Sequence, residues 1–211
     1  MLQYLEHYRP TPLESFVVDF YHKHGIRSPQ DIDLEMFAKE AGVPVRFLPR
    51  PSKAYELAGG KYLIIINSEN EWPEQRVELA HELGHVLLHV GVQWFMPDDF
   101  RALQEWQANR FAMYALAPTF MIANCLVNAR TREQLVSQLA YQFDVTPKFM
   151  AKRLAVLERR LRSLVLDQQL ARVVAEQRAM YDYSFRHPTN PRIEYLVKDS
   201  VIIGRRRRAD I

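Results

Sequence analysis

The chain has 211 residues, 48% hydrophobic and 25% charged, and a formal net charge of only +3 that names no partner class. This balance fits a soluble globular protein with a real core, either one domain with an appendage or two small domains. The single cysteine, Cys125, excludes an internal disulfide and fits a reducing cytoplasm, and no apolar stretch reaches the roughly 20 residues that cross a bilayer.

The N-terminal MLQYLEHYRPTPLESF does not read as a secretory signal. Within TPLESFVVDFYHKHG, Thr11 is placed as an N-cap, Pro12 as the first helical residue and Glu14 three residues past the cap. That is a capping box, and Gly25 is the stop. A second helix over 34–41 follows Asp33 as cap and ends before Gly42. PVRFLP and KYLIIIN are short, rich in β-branched and aromatic residues, and read as strands. RPSKAYELAGG between them reads as a loop, or a loop with a short strand. Helices follow over 73–89, 99–116, 118–127, 131–142, 147–162 and 164–182, and PRIEYLVKDSVIIGR reads as two short strands around KDS. The order predicts an α+β fold, with helices packed on one face of a small antiparallel or mixed sheet.

The stretch AHELGHVLLH carries His81, Glu82, His85 and His89. Helical positions i and i+4 share a face, about 6 Å apart along the axis. His81 and His85 can therefore converge on one Zn²⁺, each nitrogen about 2.0–2.1 Å away. Glu82 is placed to take a proton from water and pass it to a leaving amine. The flanking Leu79, Ala80, Leu83, Gly84, Val86, Leu87 and Leu88 make the helix apolar nearly all round, so it should be buried. Buried histidines need partners, and a metal supplies one. Gly84, mid-helix, costs about 1 kcal/mol relative to Ala, which predicts a close approach to its backbone. His89 lies about 12 Å along the axis from His81 and cannot share its ion, which leaves it a supporting role. A third histidine ten residues after the first is ruled out, because position 91 is Gly91.

The third ligand is sought on the next helix, where RALQEWQANRFAMYALAP offers one interior carboxylate, Glu105. In glutamate-type zincins a second helix supplies a Glu ligand, and a polar residue four positions on orients a histidine. EWQAN has that spacing, with Asn109 as the orienting acceptor. Asp98 and Asp99 are the competing carboxylates, but their Pro-Asp-Asp context reads as N-capping.

RVELAHELGHVLLH followed by EWQANRFAMYALAP resembles the ImmA/IrrE family of bacterial and phage metallo-endopeptidases. The upstream GKYLIIIN stands where that family has the strand before its metal helix. The resemblance covers roughly residues 12–160. It implies a mostly helical zincin-like domain with a small sheet beside the HExxH helix. It also implies His81, His85 and Glu105 as metal ligands and Glu82 as the catalytic acid/base. The implied metal is Zn²⁺, with Mn²⁺ a substitute in vitro. Gln107 fills the family's variable Glu/Gln position, and its Leu-Leu-Met-Pro segment appears here as ALAP. The implied substrate is an Xre-type helix-turn-helix repressor, whose cleavage relieves repression of a mobile element or stress regulon. Tyr55, Tyr62 and Tyr114 are candidate donors to the oxyanion.

Downstream, REQLVSQLAYQFDVTPKFMAKRLAVLERR reads as two helices around a DVTP turn, with Thr146 capping and Pro147 at the first helical position. The shape resembles a helix-turn-helix. Lys148, Lys152, Arg153, Arg159 and Arg160 make the second helix basic, which opens direct DNA binding as an alternative. Phe149, Leu154 and Leu157 must face a core, which favours packing or repressor recognition. The chain thus divides into a metallopeptidase domain at 1–128, a helical segment at 129–162 and an extension at 163–211. The closing arginines Arg205, Arg206, Arg207 and Arg208 read as a solvated tail, with phosphates or acidic partners as the sharper alternative. A non-proteolytic regulator that binds a repressor or DNA through this helical C-terminal part is the rival reading.

Overall fold

The computed structural model describes Leu5, residues 8–89 and residues 97–207. Gly91 and Arg208 lie outside the described residues. The chain forms two compact units, Met1–Arg159 and Arg160–Ile211.

In the first unit, α1 (Pro12–Lys23) starts at Thr11, whose hydroxyl accepts the Glu14 N–H. Asp33 caps α2 (Leu34–Glu40) through the Glu35 N–H at 2.9 Å. Gly25 and Gly42, at φ of +70° and +68°, end the two helices in the left-handed region that favours glycine. Strands β1 (Val45–Leu48), β2 (Lys53–Leu57) and β3 (Lys61–Asn67) make a mixed sheet ordered β1-β3-β2. β1 runs parallel and β2 antiparallel to β3. The apolar run of β3 buries Ile64, Ile65 and Ile66 in the centre of this sheet. Helix α3 (Trp72–Leu88) follows, then α4 (Asp98–Leu116), α5 (Thr119–Asn124) and α6 (Arg132–Gln142). This is the α+β arrangement expected from the element order, and the zincin-like one that the family resemblance implied.

Helices α3 and α4 pack along each other. Their seam is made of small residues: Ala80 and Gly84 on α3, and Ala108, Ala112 and Ala115 on α4, are all buried. Gly84 meets the backbone of Ala108, which is the close approach its mid-helix position foretold. Burial of α3 is one-sided rather than complete. Arg76, Leu79, Ala80, Leu83 and Gly84 are buried, while Val86, Leu87 and Leu88 stay half-buried.

Several local expectations are corrected. Glu14 does not turn back to cap α1. Its side chain is 1% exposed and accepts hydrogen bonds from the Tyr8 and Thr119 hydroxyls. Arg153 is not part of a basic surface. It is fully buried, donating Nε to the Ala117 carbonyl at 2.8 Å and a guanidinium N–H to Thr119 Oγ1 at 2.7 Å. Its guanidinium stands 3.6 Å from Glu14 and lies over the Tyr114 ring. Asp98 and Asp99 fall inside the first turn of α4, and Pro97 is the cap residue. Acidic side chains there complement the helix dipole instead of capping. Residue 125 already leaves the helix expected to reach 127.

The two helices expected at 147–162 and 164–182 are one continuous α7 (Pro147–Met180). No proline or glycine interrupts that span, so nothing breaks the backbone ladder. In the second unit, β4 (Tyr183–Arg186), β5 (Ile193–Lys198) and β6 (Val201–Arg207) form an antiparallel sheet ordered β4-β5-β6. The hairpin around KDS is present, turning at Asp199 and Ser200 with φ of 49° and 64°. β4 was not foreseen, and Arg205, Arg206 and Arg207 belong to β6 rather than to a solvated tail. Among the described residues, no helix is long and apolar enough to cross a membrane.

Candidate metal centre

Helix α3 presents His81 and His85 one turn apart, with their Nε2 atoms 3.0 Å from each other. From α4, Glu105 brings one carboxylate oxygen to 3.3 Å from His81 Nε2 and the other to 3.3 Å from His85 Nε2. Among the described residues these three form the one His/Cys/Asp/Glu group compact enough to hold a metal ion. Ligand bonds of 2.0–2.1 Å in a tetrahedron imply edges of about 3.3 Å. The three observed separations, with one Glu105 oxygen facing each histidine, are close to that size. Two imidazole lone pairs facing at 3.0 Å repel each other unless a cation or a proton lies between them, so the donor set fits a divalent metal.

A relay of side chains orients His85. Its Nδ1 stands 3.2 Å from His89 Nδ1, and His89 Nε2 stands 3.0 Å from Gln107 Oε1. Gln107 Oε1 can only accept, so His89 carries its proton on Nε2 and accepts at Nδ1. His85 then donates from Nδ1 and keeps the Nε2 lone pair turned toward His81 and Glu105. His89 can take this place because it is the C-cap residue of α3, with extended backbone. Burial first, and His81 next, hold the His85 imidazole down at about 4, so it stays neutral at physiological pH.

Glu82 is anchored by β2. The Ala54 N–H donates to Glu82 Oε2 at 2.6 Å, and Oε1 is the other carboxylate oxygen of the pair. Burial raises the Glu82 carboxyl above its ordinary value, against the opposing pull of the Ala54 N–H and His81. A cleft of about 460 Å³ opens beside the residues, lined by Ser52, Asn67, Glu78, His81, Glu82 and Asn109 among others.

Asn109 lines this cleft, but its Nδ2 donates to the Glu105 carbonyl at 2.7 Å rather than meeting a histidine. The acceptor that reaches the histidines is Gln107, which sequence reasoning passed over as a variable position. Tyr55, Tyr62 and Tyr114 do not line the cleft, and Tyr114 is buried beneath Arg153. A second polar cluster was also not foreseen: Ser52 accepts the Asn67 N–H at 2.8 Å and donates to Glu78, which accepts from Asn70 at 2.7 Å. It pins the end of β3 to α3 beside the cleft.

Two histidines on one helix and a carboxylate on the next, placed so that they could hold a metal ion beside a supporting sheet, are the arrangement of a zincin-like metallopeptidase. Residues 38–155 match the family model Peptidase_M78, the IrrE N-terminal-like domain, and the chain belongs to this ImmA/IrrE family. It is 35% identical over 178 residues to the phage-like element PBSX protein XkdA of Bacillus subtilis (strain 168), covering 84% of this chain and 86% of that one. It is also 29% identical over 161 residues to the protein YqaB of the same organism, covering 76% and 92% of the two chains.

Proposed function

We propose that this protein is a zinc-dependent endopeptidase that cuts a protein substrate at a specific site, and that the substrate is an Xre-type helix-turn-helix repressor. The convergence of His81 Nε2, His85 Nε2 and Glu105 on one point beside the Glu82 carboxylate carries the reading. His81, His85 and Glu105 would hold the metal, which when bound supplies a Lewis acid for a peptide carbonyl and acidifies a water. Mn²⁺ suits the same nitrogen and oxygen donors in vitro.

The chain's own part in the chemistry follows from Glu82. Its Oε2 is tied to β2, so the carboxylate cannot swing away from the cleft. Its Oε1 takes the proton of the attacking water and returns it to the amide nitrogen that leaves. A raised carboxyl suits both halves of that transfer near neutral pH. Gln107 and His89 hold the His85 ring in register. Repression of a phage-like element is relieved when the repressor is cut, in keeping with the relative XkdA being a protein of the phage-like element PBSX.

The test incubates the purified protein, with Zn²⁺ or Mn²⁺, with the Xre-like protein encoded nearest its gene. Wild type is expected to yield two defined fragments and Glu82→Gln none. Equal behaviour of the two, with no cleavage by either, removes the protease reading.

A further inference from the structure

Charge is divided unevenly between the two units. Residues 160–211 hold 11 Lys and Arg against 6 Asp and Glu, a net +5, whereas residues 1–159 hold 17 against 19, a net −2. Much of the excess is on the β4-β5-β6 sheet. β6 forms one edge of that sheet and ends in three consecutive exposed arginines.

The register places those cations on both faces. Arg205 and Arg207 pair with Tyr195 and Ile193 and share their face, while Arg206 and Arg186 pair with Glu194 and share the other. Glu194 takes Arg206 at 2.8 Å. Arg186, Arg205 and Arg207 are exposed and have no carboxylate partner among the described residues.

We infer that this sheet is a duplex-DNA-binding surface, entering a groove as a β-ribbon with Arg186, Arg205 and Arg207 reaching phosphates on its two sides. A major groove about 12 Å wide admits a two-stranded β-ribbon, here β5 and β6 with β4 at the rim, and its two walls are both lined with phosphates. Guanidinium groups on both faces at one end of the sheet, Arg205 and Arg207 from β6 and Arg186 from β4, match two anionic walls better than they match one partner surface. A second copy docking sheet on sheet would set +5 against +5 and is disfavoured. Unpaired strands bind by stacking on open aromatic faces. Here several rings have partners: Phe185 and His187 lie against Tyr195 at 5.5 and 5.4 Å and Arg206 covers Tyr181 at 5.6 Å, while Tyr183 stays exposed. The inference does not depend on the protease.

The experiment measures fluorescence anisotropy of full-length protein with a labelled duplex of about 24 base pairs, from about 50 to 200 mM salt. Three phosphate contacts predict a slope of log K against log salt of about −2.7. Arg205→Ala with Arg207→Ala is expected to weaken binding about tenfold or more and bring the slope to about −0.9. Arg172→Ala, on α7 and paired with Glu176, leaves both unchanged. The inference is overturned if the double variant binds as wild type does, or if Arg172→Ala causes an equal loss. Tighter binding of the unpaired strand or of a poly-glutamate peptide than of the duplex also overturns it.

Discussion

Gly84 and Ala108 touch backbone to backbone: a Cβ on Gly84 would stand 2.8 Å from the Ala108 Cα and 3.0 Å from its carbonyl oxygen. Neither atom can rotate away, so any side chain there pushes α4 off α3. Because His81 and His85 sit on one helix and Glu105 on the other, the same displacement opens the metal triangle.

Gly84→Ala should therefore destabilise the protein by about 1–3 kcal/mol, although alanine gains about 1 kcal/mol of helix propensity. Zinc affinity should fall with it. Urea unfolding and a zinc titration check this; a variant that is more stable and binds zinc normally contradicts the packing argument.

Arg153 and Glu14 form a buried ion pair, each 1% exposed at the side chain. Arg153→Met leaves Glu14 without its cation and should cost about 3–5 kcal/mol. Adding Glu14→Leu should restore most of that, because two apolar residues replace two charges. The comparison of single and double variants in urea decides it.

Gln107→Ala removes the acceptor at the end of the histidine relay. Loss of such an outer partner typically costs about 10–100-fold in metal affinity. Competition with a coloured chelator measures the change, with the fold unaffected by circular dichroism.

The metal-free protein should lose stability on acidification. The folded His85 titrates at about 4, against the ordinary value of 6.5. Between these values the unfolded chain binds the extra proton, so stability is full above about 6.5 and declines as pH falls toward about 4. Protons compete with the metal at the same ring, so zinc retention should weaken in the same direction. Unfolding midpoints of apo and zinc-loaded protein across this range test both statements.

The legible parts of this molecule are those set by short-range spacing. The four-residue repeat of His81 and His85 and the caps at Thr11 and Asp33 act through one or two turns of helix, and Gly84 is legible because a mid-helix glycine signals a close neighbour. Glu105 is legible as the one interior carboxylate of the next helix, and the resemblance to ImmA/IrrE proteins points to the same residue. What stayed hidden depends on partners distant in the chain. Glu14 looks like a capping residue because its buried partners, Thr119 and Arg153, lie more than 100 residues away. Arg153 looks like a surface cation, yet it lies on the apolar stripe of Phe149, Met150, Leu154 and Leu157 that enters the core. Gln107 was hidden because its role requires His89 to leave the helix as a cap. The arginine run was misread because a charge block alone does not reveal that β5 will pair with it.

The central claim is that His81, His85 and Glu105 hold one metal. Metal analysis of purified protein, equilibrated with zinc and freed of excess, tests it most directly. Wild type is predicted to retain one equivalent per chain. His81→Ala, His85→Ala and Glu105→Ala are each predicted to lose it, while His22→Ala, on α1, retains it. Full retention of zinc by the three site variants would contradict the account.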